Sequence, residues 1–583
     1  MRKLIAATVV LLPLITTSGG IDNFRQPKDS LLIAAASVLL AIAAITFVVR
    51  PFQIKMTREL MLIGAALAWT LVCTLTSTNR TLSAMSLVWL LSLLVFGLAT
   101  AALAKEESLT VILLPLGVAA INAAIFLLQR FEIWNPITFT DDIAPHFRYT
   151  ALIGNPDDAA SFFVAPTVVA IAFIASTRGW RRAVAAIALT LLVAALVTGR
   201  LTGIVAATAG AAAFFIIRYR KRGIAAVAAL IAIVIVVGLA WAPLRTRVGQ
   251  IVGQIRAGDY AEATSGRVTP FLAAAAMTKD HMITGVGPSC FAWEYFPYKA
   301  RIERRFPQLA SAWAHSFVFR DVHNDHLELL AECGVIGYAL VLAAIIAIVR
   351  ATWRGENAFA AMAILPLAIS LAVLCLAHFP LHLSAPALMF VYFGALMWGS
   401  SGGQAPSPVR TGEAPVLHWT LRAVLAAFIV SASAYAIYRF AYFPYSCETM
   451  TREISARTDA AEKAPEYAGA PMARRNLERL APCVRRVQED MSIYMLAAAN
   501  HHILGQLAEA RAMEETALRY QRRPELYYAL GRLQLEAGDR AAALESLYHA
   551  VQFSREYLGE LPADVVADLT ARLQRDDSHL AGR

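Results

Sequence analysis

The stretch "DVHNDHLELLAECGVIGYALVLAAIIAIVR" (321–350) changes character within a dozen residues. Its first six residues gather two histidines, two acids and an asparagine. From Gly334 onward no charged residue appears until Arg350. An apolar run of that length is what a helix needs to cross the hydrocarbon core, which takes about 20 residues. The chain therefore reads as placing titratable groups at the lip of a transmembrane helix.

The rest of the 583 residues agree with that reading, being 58% hydrophobic and only 16% charged. A soluble globular protein cannot hide so much apolar surface, so the class is integral membrane protein. Candidate spans lie near 4–18, 31–49, 59–76, 83–103, 109–129, 160–176, 183–198, 201–217, 223–241, 334–350, 358–377, 382–398 and 419–438. The expected fold is all-α and polytopic, with about 12–13 transmembrane helices. The first run, between "MRK" and "TTSGG", also has the layout of a signal peptide. The net charge of +10 sits largely in short loops, where it sets topology, so no nucleic-acid partner is expected.

Basic clusters "RPFQIKMTR" (50–58), "TRGWRR" (177–182) and "RYRKRG" (218–223) alternate with the remaining loops. The positive-inside rule puts them, and the N-terminus, in the cytoplasm. The segment 242–332 is then a large extracytoplasmic loop, and the motif at 321–333 faces outward. Residues 399–418, "GSSGGQAPSPVRTGEAP" and its flank, form a cytoplasmic linker by composition. The last span returns the chain outside, and 442–583 is extracytoplasmic.

That tail is polar and reads as amphipathic helix pairs. "PELYYALGRLQLEAGDRAAALESLYHAVQF" (524–553) resembles a tetratricopeptide repeat. Gly505, Ala510 and Ala517 stand one period upstream of Gly538, Ala543 and Ala550. A generic helical hairpin domain gives the same pattern. Either architecture offers a surface for a protein partner. The six cysteines have no metal-ligand spacing. A Cys447–Cys483 disulfide is open to the oxidising compartment, and spacing alone does not decide it.

Three separate segments put candidate chemistry on the outward side. His323 can take a proton near neutral pH; the alternative is a polar helix start capped by Asp321 or Asn324. His323 and His326 also have a spacing at which a metal is shared with an acid, though no further ligand set is evident. Arg200, in "LVTGRLTG", is a phosphate-binding fork or a snorkelling residue. Arg267, in "TSGRVTPFL", is a second fork or an ordinary loop arginine. "IGNPDDAA" (153–160) reads as a cap for the sixth span, with Asn155 and Asp157 as weaker substrate contacts. Two fixed cations and one base suit a lipid-linked diphosphate donor: the arginines would stabilise the leaving pyrophosphate, and the imidazole would deprotonate an acceptor hydroxyl.

At these residues the chain resembles the O-antigen ligase-related family of bacterial membrane glycosyltransferases, over roughly 30–400. The most specific element is His-Asn, nine residues, then Gly-x-x-Gly: His323, Asn324, Gly334 and Gly337. After the second glycine the family usually has a small or β-branched residue, where this chain has Tyr338. "TGR" at Arg200, "SGR…GVGPSCF" from Arg267 and "GNPDDAASFF" resemble further family elements. The resemblance implies a GT-C-like fold in the bacterial inner membrane, with no metal and no cofactor. It implies an undecaprenyl-diphosphate-linked glycan donor and a lipid A-core, other glycan or protein acceptor. His323 would be the base, Arg200 and Arg267 the diphosphate binders, and Asn324 a further substrate contact. The family implies an inverting glycan ligase, with a polysaccharide polymerase as the alternative. A protein O-glycosyltransferase, or a non-enzymatic glycan transporter or scaffold working through its tail, are further alternatives.

Overall fold

The computed structural model describes all residues except 21, 51, 54–55, 105–108, 138–147, 226, 230–231, 233–241, 310–318, 403–406, 409–418, 487–490 and 582–583. The fold is an all-α polytopic membrane protein. Its described β-structure is a two-residue pairing, Phe52–Gln53 with Ser407–Pro408. Among the described residues nine helices are long and apolar enough to cross a membrane. Two shorter apolar helices, Ala358–Leu374 and Ser384–Ser400, stand where further spans are expected. The expected span at 223–241 and the linker at 399–418 lie largely outside the described residues.

One expectation changes. The run at 4–18 forms only a ten-residue helix, Arg2–Leu11. Pro13 follows it closely, and a proline that lacks an N–H cannot continue the helical ladder. At 1.5 Å per residue this helix is too short to cross the bilayer alone. It packs instead into the main core through Ile5, Val9 and Leu12.

The core is centred on the helix Pro156–Ser176, buried along most of its length. Small residues let its neighbours approach. A Cβ on Gly210 would lie 2.7 Å from Val168 and 2.9 Å from Ser370, so three helices meet there with almost no side chain between them. Gly203 meets Ala160 in the same way. Without a hydrophobic force between helices in lipid, such close van der Waals contact carries the association.

The helix Asp325–Trp353 is broken at Gly334, whose φ of 67° and ψ of −177° are not helical. The freed backbone groups are taken up from outside. Val286 N donates to Ala331 O at 2.9 Å, Gly287 N to Glu332 O at 3.0 Å, and Val335 N to Met282 O at 2.9 Å. Trp69 Nε1 donates to Cys333 O at 3.1 Å. The carbonyls of 331–333 and the amide of Val335 are thus paired within the protein rather than left to face lipid. A Cβ on Gly334 would lie 2.0 Å from Ile283 O, so only glycine fits. The "GVGP" turn (285–288) and the Gly-x-x-Gly motif are two halves of one joint.

The last apolar helix, Trp419–Ala436, continues through a π-helical segment, Ile437–Tyr442, into Phe443–Lys463. The tail therefore begins on the helix that continues from the last apolar segment. Cys447 and Cys483 are disulfide-bonded, with Cα atoms 5.8 Å apart. Two antiparallel helix pairs follow, Met491–Ile503 with Leu507–Leu518 and Pro524–Glu536 with Arg540–Phe553. Gly505 and Gly538 take φ of 70° and 78° in the two turns. Ala510, Ala517, Ala543 and Ala550 are fully buried at the expected period. The tail docks on the loop helix Phe291–Arg305: Phe553 stacks on Phe296 at 5.7 Å, and Arg522 lies 3.4 Å above the Trp293 ring.

Candidate functional site

Four helices begin at one place in the bundle, and their N-cap residues carry the site. Asn155 caps Pro156–Ser176, its side chain accepting from Asp157 N at 2.8 Å. Arg200 is the N-cap of Leu201–Tyr219, and Arg267 that of Val268–Asp280. Asn324 caps Asp325–Trp353 by accepting from Leu327 N at 3.0 Å. Helix N-termini carry partial positive charge and orphan N–H groups, so their convergence favours an anion even before side chains are counted.

Asp157 joins the two arginines. Its Oδ1 lies 3.6 Å from Arg200 Nε, and its Oδ2 lies 4.0 Å from Arg267 Nη2. These separations are beyond hydrogen-bond length, so the carboxylate balances charge without using up the guanidinium donors. Arg200 Nε is buried and has no hydrogen-bond partner among the described residues.

His323 stands immediately before the Asn324 cap in a left-handed conformation, φ 61°. That conformation is uncommon for a residue with a Cβ and marks a constrained position. Its half-buried ring lies edge-on to Phe319 and Phe379, with centroids at 5.6 and 4.7 Å. His378 is 6.4 Å away. Nδ1 of His323 has no hydrogen-bond partner among the described residues. Burial, then the Arg267 guanidinium and His378, push this imidazole down to about 4, against the pull of Asp321 and Asp157. It is neutral at physiological pH and has a lone pair to offer. A ligand anion between Arg267 and the ring would offset the arginine's share of that depression and make the imidazole more basic.

Behind His323 lies a charge network. His382 Nδ1 is 2.7 Å from Asp325 Oδ1, and its Nε2 is 3.7 Å from Glu328 Oε1. Burial works against charge on His382, but Glu328 and Asp325 outweigh it and hold the imidazole protonated, well above its usual range. Asp321 sits 3.5 Å from Arg25. Burial would raise this carboxyl, yet Arg25 and His382 bring it below its ordinary value. Glu328 accepts from Val322 N at 3.0 Å, which fixes the turn that presents His323. Asp321, Glu328 and His382 lie close enough to hold a cation. Arg25 and the His382 imidazolium already balance that charge.

Three of the expected residues, Arg200, Arg267 and His323, thus meet around Asp157. Asn324 differs. Its Oδ1 caps the helix and its Nδ2 donates to Leu376 O at 3.0 Å, so the backbone occupies both polar ends. His326 does not join His323 around a metal: its Nε2 pairs with Ala372 O at 3.0 Å and its Nδ1 with Tyr338 Oη at 3.3 Å. The tyrosine that departs from the family pattern is the partner of that second histidine.

Sequence reasoning gave Asp157 little weight and missed His378, His382 and Arg25. The signal was "HFPLH" (378–382), a proline-broken pair of histidines between two apolar runs.

Residues 185–342 match the family model described as O-antigen ligase. Over this segment the chain is similar to O-antigen ligases. The matched segment contains Arg200, Arg267, His323, Asn324, Gly334 and Gly337. It ends inside the motif helix and leaves the tail unmatched. No curated protein matches the chain. The match supports a membrane glycosyltransferase activity of the O-antigen ligase or polymerase type.

Proposed function

We propose that the protein transfers a glycan from undecaprenyl diphosphate to an acceptor hydroxyl at the outer face of the bacterial inner membrane. The observation that carries this reading is the meeting of Arg200 and Arg267 on Asp157, beside a neutral His323. The diphosphate takes the place of Asp157 between the two guanidinium groups. Their planar forks bind phosphate oxygens in pairs. The acceptor O–H gives its proton to His323 as its oxygen bonds the anomeric carbon. The bond from that carbon to the phosphate oxygen breaks, and its electron pair leaves on the diphosphate. The arginines stabilise the charge that develops there. Attack opposite the leaving group inverts the anomeric centre. Asn324 and Glu328 act by holding the turn that presents the base.

The test is mass spectrometry of lipid-linked and surface glycans in a strain carrying His323→Ala. Long lipid-linked polymer with no surface attachment is the expected result. Accumulation of single lipid-linked units would identify a polymerase using the same site. Unchanged surface glycan in that strain, with loss only on deletion of 442–583, would point instead to a scaffold.

A further inference from the structure

The helix Ala242–Arg256 follows the apolar run 223–241 and leads toward Arg267. It is neither a span nor a core element. At about 1.5 Å per residue its 15 residues fall short of the hydrocarbon core of about 30 Å. None of its described side chains is buried. Val248, Val252 and Ile255 are 51, 40 and 47% exposed.

The exposed groups are sorted by face. Successive residues turn by about 100°, so Val248, Ile251, Val252 and Ile255 fall in one stripe about 100° wide. Arg245 and Arg256 border that stripe beside Val252. Thr246 and Gln250 take the opposite face, and Gly249 and Gly253 stand next to them. A Cβ on either glycine would meet nothing within 4 Å. Every charged residue of 242–256 is an arginine.

We infer that Ala242–Arg256 lies along the membrane surface, with its apolar stripe at the acyl-chain boundary and its arginines on acidic phospholipid headgroups. A narrow apolar stripe, low overall hydrophobicity and purely basic charge are the pattern of an interfacial helix. Chain continuity identifies the surface that covers it. A run that completes its crossing near residue 241 delivers residue 242 to headgroup level. Pro243, the second residue, suits a helix that starts afresh there, because the first turn needs no N–H. Arginine stems can cover the edge of the stripe while their guanidinium groups reach the phosphates.

A second copy of the chain fits less well. Close pairing of the Gly-x-x-x-Gly kind would use Gly249 and Gly253. Those lie on the polar face, and the apolar stripe would stay uncovered. Beyond the helix, Gly258, Ser265 and Gly266 take φ of 78°, 52° and 78° and turn the chain toward Arg267. The helix thus ties the arm that carries Arg267 to the bilayer. None of this depends on glycan transfer.

Fluorescence quenching in the full-length protein is a test that needs no turnover. The free cysteines Cys73, Cys290, Cys333 and Cys375 are buried, so Val252→Cys gives an accessible thiol for a bimane label over a low background. The protein is placed in nanodiscs of phosphatidylcholine and phosphatidylglycerol. Lipid carrying a doxyl group high on its acyl chain should quench the label at 252 at least twofold, and aqueous iodide should not. A label at Gln250→Cys, on the opposite face, should show the reverse. Iodide quenching at both positions overturns the assignment. So does a label at 252 shielded from both quenchers, which is the result for a protein partner or a second copy.

Charge reversal supplies a second arm. Arg245→Glu with Arg256→Glu should at least halve the doxyl quenching at 252, whereas Thr246→Glu on the far face should leave it unchanged. Unchanged quenching after the reversal, or an equal loss from Thr246→Glu, contradicts binding through the arginines to acidic headgroups.

Discussion

The joint at Gly334 and the helix pairs of the tail solve the same problem of bringing backbones close, in opposite ways. At the joint a single glycine with positive φ admits a foreign loop, and six backbone groups from 282–287 and 331–335 pair across it. In the tail, closeness is repeated: small residues recur at a fixed period, and each pair contacts its neighbours. A site that must hold His323 in a left-handed turn needs irreplaceable positions. A stack of helices needs only a pattern, and it spreads the consequences of any one change.

That contrast is sharpest at Gly334→Ala. The added Cβ would lie 2.0 Å from Ile283 O at a φ that side chains rarely adopt. Strain and overpacking together should cost about 2–4 kcal/mol. Thermal unfolding in detergent should show a lowered Tm, and glycan transfer should be lost. A variant with native Tm and activity would mean that the joint is not a constraint. In the tail, Cys447→Ser should lower stability by about 2–4 kcal/mol through loss of the disulfide. Because that bond joins tail helices, it should do so without changing the affinity of the protein for undecaprenyl diphosphate. A change in that affinity would couple the two regions.

A smaller effect of opposite sign is expected at Glu514, which is 4% exposed. Burial raises its carboxyl to about 7. The folded tail binds this proton more tightly than the unfolded chain, so stability falls as pH rises from about 4.5 through 7. Glu514→Gln should therefore stabilise the tail by about 1–3 kcal/mol at pH 8 and by nearly nothing at pH 4. Denaturation at the two pH values checks this. Equal effects at both would show that the carboxyl is hydrated.

Much of the fold was legible because span length is a solvent requirement. The apolar runs from 31 to 219 and from 334 to 398 become helices within a few residues of where they were expected. The exception at 4–18 turned on Pro13. Arg200, Arg267 and His323 were legible because each stands at the start of a helix, where a polar residue interrupts an apolar pattern. Their partners were not. Asp157 lies over 40 residues from Arg200 and over 100 from Arg267 in the chain, and nothing local marks their pairing. Arg25 and His382 carry no local mark of their partners either; folding alone places them with Asp321, Asp325 and Glu328. In the tail, only the glycine and alanine period could be read; the docking of Phe553 on Phe296 is a long-range fact.

The central claim is that one anion can lie between Arg200, Arg267 and His323. Titration of the His323 ring by NMR, assigned through His323→Ala, tests it directly. In the free protein the imidazole should titrate near 4. Saturating undecaprenyl diphosphate should offset Arg267 and raise that value by more than one unit. Binding of the diphosphate that leaves the His323 titration unmoved would place the phosphates elsewhere and contradict the account.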